Sequence, residues 1–542
     1  MISKATALRS LARLALLSLC GTGASLGQKN IVLVIVDDLN TKIRCYGDTQ
    51  AITPNIDRLA ARGVQFQRAY CNHPLCGPSR ASFLSGLHSW TTGVGSTGQR
   101  VRSVIPDHLH LAEHLRAQGY HTSAVGKVDH DTDLIPWDHV DRLNAFAFSL
   151  REEGFVWSDQ PKRPAGARLV AEDSPRFNGA SGDMRIQRWD SPDDQFVDGQ
   201  IAARSIDILQ QRSESDQPFM LAVGFFCPHQ PYIAPEWYFD LYDPAALTWN
   251  LEPPLAEQDI SWWALPRGGP FKNNPIATPE QRATWTHAYR ACTSYTDAML
   301  GLVLDALEEG ELWDDTVVAF IGDNGFQLGE HEIAWGKQRL FEEALRVPLI
   351  IWDPDAAGNG LVCHEPVSLI DLFPTILEAA GVPLPDQRVD GSSLAHLLAD
   401  PSLSLGSHAL HAREWTAFDQ MPAGRSLSIA RWNYSEYRDG SRALYDLDAD
   451  PFQVDNLASD PAYAGLMATL SARFPGALDL GGDAFYERGA IPESTDRDTD
   501  GIPDHTEATT LAELGFDPAV DNSELLQHIL QQRQDLGPVS YT

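Results

Sequence analysis

Asn30 to Val36 is a run that, after its first residue, is wholly apolar and mostly β-branched, and it stops abruptly at Asp37-Asp38. A strand with no polar face must be buried on both sides, as happens inside a parallel sheet covered by helices. The rest of the chain supplies such helices. Thr53-Pro54 opens one and Gly63 closes it, with Thr53 expected as the N-cap and Pro54 in the first turn. Leu109 to Gln118, Ala288 to Leu307 and Leu369 to Ala380 predict three more. Between them Val64 to Phe66, Thr122 to Val125, Phe219 to Phe226, Thr316 to Ile321 and Val347 to Trp352 predict strands. The alternation predicts an α/β fold with a large mixed, mostly parallel sheet flanked by helices. Ligands of such sheets bind at the carboxyl ends of strands. Asp37-Asp38, Cys227-Pro228-His229 and Asp323-Asn324-Gly325 stand at those ends.

The texture changes after about residue 405. Ser426 to Trp432 and Ala443 to Leu447 predict short antiparallel strands, with a turn at Arg438-Asp439-Gly440. Four regions follow: a leader at 1–27, an α/β catalytic domain at 28–404, a smaller α+β subdomain at 405–480, and a linker with a terminal module at 481–542. The leader has the form of a signal peptide: Lys4, Arg9 and Arg13, then the apolar run Leu14 to Leu19, then small residues before Gln28. Export to the periplasm or the extracellular space is the expectation. Lipidation at Cys20 ranks second because Leu19 is large for that signal. No other segment is long and apolar enough to span a bilayer.

With a net charge of −33, the chain is unsuited to non-specific nucleic-acid binding, and an anionic substrate would need a local cluster of cations. The seven cysteines have neither a disulfide framework's spacing nor zinc-like pairs. One of them, Cys76, begins Cys76-Gly77-Pro78-Ser79-Arg80, which continues to Leu84-Ser85-Gly86. Pro78 suits a helix's first turn, where free N–H groups favour an anion, and Arg80 adds a fixed cation. A lone cysteine here would be read as a buried thiol. The whole string is not read that way.

This string resembles the modification signature of the formylglycine-dependent sulfatase family, within the alkaline-phosphatase-like superfamily. The resemblance implies that a formylglycine-generating maturation enzyme oxidises Cys76 to formylglycine. It further implies that the aldehyde hydrate attacks sulfur with one hydroxyl and expels sulfate with the other. Asp37 and Asp38 resemble the family's first pair of metal ligands, and Asp323 and Asn324 the second, with Cys76 beside them. Hard oxygen ligands suit Ca²⁺, with Mg²⁺ as the alternative. Lys127 and His130 match the family's GKxxH pattern, implying sulfate binding and contact with the formylglycine hydroxyl. His229 matches its general acid and Lys337 its second sulfate-binding lysine. Asp371 to Leu377 and Leu444 to Pro451 resemble framework segments. Phe225 to Tyr232 and Gly329-Glu330-His331 resemble the iduronate-2-sulfatase-like branch, which implies 2-O-sulfated uronic acid residues of sulfated oligosaccharides or polysaccharides as substrate.

The terminal module carries Asp496, Asp498, Asp500, Ile502, Asp504 and Glu507 at the spacing of a twelve-position calcium loop. A second, structural Ca²⁺ is expected there. An acidic tail is the alternative. Two other functions are compatible with the same fold: a phosphomonoester or phosphonate ester hydrolase, and a non-catalytic glycan-binding protein.

Overall fold

The computed structural model describes residues 28–474, apart from 98, 100, 131–134, 142–167, 174–185, 248–278, 333–334, 407, 414–423 and 438–439. The leader, the linker and the calcium-loop residues Asp496 to Glu507 lie outside the described residues.

An eight-stranded sheet forms the centre. Its strands in chain order are β1 (Asn30–Val36), β2 (Val64–Phe66), β3 (His121–Gly126), β4 (His139–Asp141), β5 (Phe219–Phe225), β6 (Thr316–Gly322), β7 (Leu349–Trp352) and β8 (Val362–Cys363). Across the sheet the order is β8-β2-β7-β6-β1-β5-β3-β4. The block β6-β1-β5-β3-β4 is parallel, whereas β7 runs antiparallel to both β6 and β2.

The opening run behaves as its composition requires. Val32, Val34 and Val36 pack into one core with α1 (Pro54–Arg62), α4 (Val197–Ser213) and the long α5 (Pro279–Glu309). Ile31, Leu33 and Ile35 pack into the opposite core with α2 (Cys76–Ser85), α3 (Leu111–Ala117) and α6 (Leu372–Ala379). The period of two sends alternate residues to two covered faces, so every position is apolar.

Some local expectations are corrected. Thr53 occupies the N-cap of α1, but its side chain makes no capping bond. The Asp297 carboxylate of α5 accepts from Asn55 N and Ile56 N instead, at 3.0 and 2.7 Å. The strand expected over Val347 to Trp352 is split at Pro348. Arg346–Val347 pairs with Ala69–Tyr70 in a separate small sheet, and only Leu349–Trp352 joins the main one. Proline has no N–H to continue a ladder. The helix expected from Leu369 begins as a 3₁₀ turn, Leu369–Asp371, and the α-helix starts at Leu372.

The C-terminal part is a four-stranded antiparallel sheet, β9 (His408–Arg413), β10 (Gly424–Ile429), β11 (Trp432–Tyr437) and β12 (Arg442–Asp446). Ser426 to Trp432 is therefore two strand ends and a hairpin turn rather than one strand. Leu427, Tyr434 and Leu444 pack under α7 (Ala464–Ser471) through Met467 and Leu470. The sheet reaches the main body through β9. His411 Nδ1 lies 2.8 Å from Cys71 O, and Asn72 Nδ2 donates to Leu410 O at 2.7 Å. No helix among the described residues is long and apolar enough to cross a membrane.

Candidate active site

The four strands that carry the expected site residues are neighbours in the sheet, β6-β1-β5-β3, and all are parallel. Their register aligns Val36 with Gly322 and Phe225, and Gly126 with Gly224. Asp323-Asn324, Asp37-Asp38, the His229 turn and the Lys127–His130 loop therefore leave the sheet side by side at one edge. Neighbouring strands lie about 4.8 Å apart, so four strand ends cover roughly 15 Å.

The chain bends where it must. Asp38 has φ 61°, an uncommon left-handed conformation for a residue other than glycine. The turn is held by Tyr289, whose hydroxyl donates to Asp38 O at 2.8 Å and accepts from Asn40 N at 3.0 Å. After β3, Gly126 has φ 76°, and a Cβ there would lie 2.3 Å from Gly224 O. A Cβ on Gly224 would lie 1.9 Å from Lys127 O. Only a glycine pair lets the Lys127 loop cross over β5 this closely.

Cys76 opens α2, whose ten residues are all buried. Its Sγ lies 3.6 Å from Lys337 Nζ and shares a cluster with Asp37 and Asp323 in which ligand atoms lie within 4.8 Å of one another. Asp37, Asp38 and His229 form a second such cluster. Three cations interleave with the carboxylates. Arg80 Nε donates to Asp323 Oδ2 at 2.8 Å, Lys127 Nζ to Asp37 Oδ2 at 2.5 Å, and Lys337 Nζ to Asp38 Oδ1 at 2.5 Å. Asn324 Nδ2 donates to Asp38 Oδ1 at 2.7 Å. His229 Nε2 stands 3.7 Å from Asp38 Oδ2. His130 packs beside the start of α2, since a Cβ on Gly77 would lie 3.5 Å from its Cγ. The structure thus brings together Asp37, Asp38, Cys76, Arg80, Lys127, His130, His229, Asp323, Asn324 and Lys337.

The electrostatics follow from burial and charge. Burial alone would raise the Asp37 carboxyl, but Lys127, His229, Arg80 and Lys337 hold it well below the usual carboxylate range. Asp323 is pushed up to about 6 by burial, which Arg80 only partly offsets. Burial would lower the Lys337 ammonium, yet Asp38 and its neighbours raise it overall. Burial, with Lys127 next, holds His130 well below the usual histidine range, so its ring is neutral. Burial also raises the Cys76 thiol, against the pull of Lys127 and Lys337.

The residues fit a hard divalent cation. Asp37, Asp38 and Asp323 offer carboxylate oxygens and Asn324 an amide oxygen. Asp37 Oδ1 and Asn324 Oδ1 are buried without a hydrogen-bond partner. Buried oxygens left in this state are costly unless something else binds them. The three carboxylates are matched by Arg80, Lys127 and Lys337, so a bound divalent ion would leave the site positive and suited to an anion.

Several residues that build the site were not identified from the sequence. Asp198, near the start of α4, accepts from Phe226 N and Cys227 N at 2.8 Å each and anchors the turn that carries His229. Trp335 Nε1 donates to Tyr232 OH at 2.7 Å, linking the Lys337 loop to the His229 turn. Asp198→Ala leaves two buried N–H groups unpaired at about 1–3 kcal/mol each. Thermal melting of the variant should show a stability loss of about 2–6 kcal/mol, and turnover should fall because the His229 turn loosens.

The sheet has the alkaline-phosphatase-like fold, and at its carboxyl edge it gathers acids, cations and a cysteine that could hold a divalent cation beside an anionic ester. The Sulfatase family model matches residues 29–382, and the C-terminal model of N-sulphoglucosamine sulphohydrolase matches residues 329–477. The chain belongs to the sulfatase family. It is 31% identical to a choline-sulfatase of Rhizobium meliloti (strain 1021), covering 82% of this chain and 85% of the relative. It is 29% identical to the iduronate 2-sulfatase of Mus musculus, covering 81% and 93% respectively. The crystal structure of the phosphonate monoester hydrolase of Agrobacterium radiobacter superposes with a TM-score of 0.69 at 21% identity, covering 82% of this chain and 94% of that one, a likeness of fold alone. The protein is accordingly a sulfuric ester hydrolase.

Proposed function

We propose that this sulfatase is exported and hydrolyses sulfate esters of carbohydrates, with 2-O-sulfated uronic acid residues of sulfated oligosaccharides or polysaccharides as substrate. The observation that carries the reaction is the position of Cys76 Sγ, 3.6 Å from Lys337 Nζ and within one cluster with Asp37 and Asp323, at the start of a buried helix. Sulfatases generally use formylglycine and a divalent metal, which supports a formylglycine at this position and a metal beside it. Formylglycine there would supply one hydroxyl of its hydrate for attack on sulfur and the other for release of sulfate, and a divalent metal held by Asp37, Asp38, Asp323 and Asn324 would polarise the sulfate oxygens.

This chain's own residues do the rest. Lys127 and Lys337 bind the sulfate oxygens as they gain negative charge, from a site shielded from water. Arg80 makes no such contact in this reading. It is almost fully buried against Asp323, Asp37 and the Lys127 carbonyl, so it fixes the carboxylates and the lysine loop. His229 Nδ1 lies against Gln230 O, and as the imidazolium, with Asp38 beside it, the ring would carry a second proton on Nε2 to give to the departing sugar oxygen. His130, neutral in its buried setting, accepts a proton when sulfate is expelled. Asp37, Asp38, Asp323 and Asn324 would hold the metal, with Ca²⁺ favoured by the all-oxygen set and Mg²⁺ the alternative. The Asp496–Glu507 loop binds a second, structural Ca²⁺.

The uronic acid reading is supported by the likeness to the iduronate 2-sulfatase over most of both chains. The likeness to a choline-sulfatase favours a second reading, a small zwitterionic alkyl sulfate. Comparison of kcat/KM on a 2-O-sulfated uronic acid disaccharide, choline sulfate and a matched phosphate monoester separates them. The disaccharide should be preferred by at least about 10²-fold, the scale of one or two well-placed polar contacts. Preference for choline sulfate would overturn the carbohydrate assignment, and preference for the phosphate would overturn the reaction class.

A further inference from the structure

His130 faces the site without a side-chain hydrogen bond among the described residues, and its Nδ1 is buried with no partner. A ring that must meet a reacting hydroxyl needs its orientation fixed by other means. The backbone before it is well tied. Lys127 N donates to Gly224 O at 2.9 Å, and Arg80 Nη1 donates to Lys127 O and Val128 O. The next residue, Asp129, is held by two side chains that the reaction does not use. Trp137 Nε1 donates to Asp129 Oδ2 at 3.3 Å. His110 Nε2 lies 3.1 Å from Asp129 Oδ1, off the line of a straight hydrogen bond.

The state of His110 follows from its other nitrogen. His110 is the N-cap of α3, and its Nδ1 accepts from Ala112 N at 3.2 Å. The proton therefore resides on Nε2, the nitrogen turned toward Asp129. His110 is 4% exposed and its ring meets the Trp137 ring edge-on at 5.9 Å. His110, Asp129 and His130 together line a small cavity with Gly77 and Arg80, directly behind the Cys76 helix start.

We infer that Asp129, clasped by His110 and Trp137, is a positioning residue that aims His130 and Lys127 at the reacting group, and that His110 couples the start of α3 to that loop. The inference rests on the sulfatase reading for its assay. Second-layer partners of this kind typically affect activity by about 10–100-fold.

Four variants test it: Asp129→Asn, His110→Asn, their double, and Glu113→Ala. Asparagine at 110 still caps the helix but is too short to reach Asp129. Glu113 accepts from His110 N and pairs with Arg102, without touching Asp129. Asp129→Asn and His110→Asn should each lower kcat by about 10-fold or more with KM changed less than about twofold. The double variant should be little worse than Asp129→Asn alone, as expected of two residues acting through one contact. Glu113→Ala should melt earlier and keep wild-type kcat. Should His110→Asn fail to fold, Trp137→Phe removes the N–H donor to Asp129 together with part of a buried ring and carries the same expectation for kcat. Wild-type kcat in Asp129→Asn overturns the inference, as does an equal loss in Glu113→Ala or a multiplicative loss in the double variant. A wild-type protein inactive on every sulfate ester would instead remove the sulfatase reading.

Discussion

Cys76→Ala should abolish turnover, with a loss of about 10⁴-fold or more, as for the removal of other nucleophiles. Cys76 is 2% exposed and opens α2 beside Lys337, Asp37 and Asp323. Alanine keeps the helix start and removes only the atoms beyond Cβ from a site set by its neighbours, so the stability change should stay near about 1 kcal/mol. The sulfate-binding cations Lys127 and Lys337 remain, so affinity for a sulfated saccharide should survive. Steady-state kinetics and calorimetric binding on one preparation check both halves. Residual turnover within tenfold of wild type would show that the reaction does not pass through this residue.

Removal of divalent metal should have the second-largest effect. The carboxylates of Asp37, Asp38 and Asp323 converge, and Asp37 Oδ1 and Asn324 Oδ1 have no hydrogen-bond partner. Chelation followed by desalting should lower activity by about 10³-fold or more, the upper scale for loss of a charge-stabilising group. Addition of Ca²⁺ or Mg²⁺ should restore it. Binding to the folded state alone also stabilises, by about 3–4 kcal/mol when the ion is present at 100 to 1,000 times its Kd. The chelated protein should therefore melt earlier, independently of any assay. Full activity and unchanged melting after verified metal removal would contradict the role given to these four residues.

The parts of the site legible in the sequence were those where local pattern and chemistry coincide. Asp37-Asp38 ends a run with no polar face, so both the buried strand and its carboxyl end could be read directly. The Cys76 to Arg80 string was equally direct, because the cysteine, the proline and the arginine sit within one short stretch at a helix start. What stayed hidden depends on which element packs behind which. Asp198 matters only because α4 lies against the end of β5, and nothing local to Val197–Ser213 announces that contact. Its buried positions Ile201, Ala202, Ser205, Ile208 and Leu209 do follow helical spacing, but Gly199 in the first turn obscured the start. Gly199 is there because a Cβ would lie 2.0 Å from Asp193 O. Tyr289 and Asp297 act from α5 on segments some 250 residues earlier, across distances that no window of sequence spans. Thr53 shows the opposite failure, a good N-cap residue whose task is taken by Asp297 from another helix.

Mass spectrometry of the peptide spanning Cys76, taken from protein matured in its native host, tests the central claim most directly. An aldehyde in place of the thiol, trapped as an adduct by a hydroxylamine or hydrazine reagent and absent from Cys76→Ala, is the predicted result. An intact thiol in protein that turns over sulfate esters would contradict it, because the reaction would then proceed without formylglycine.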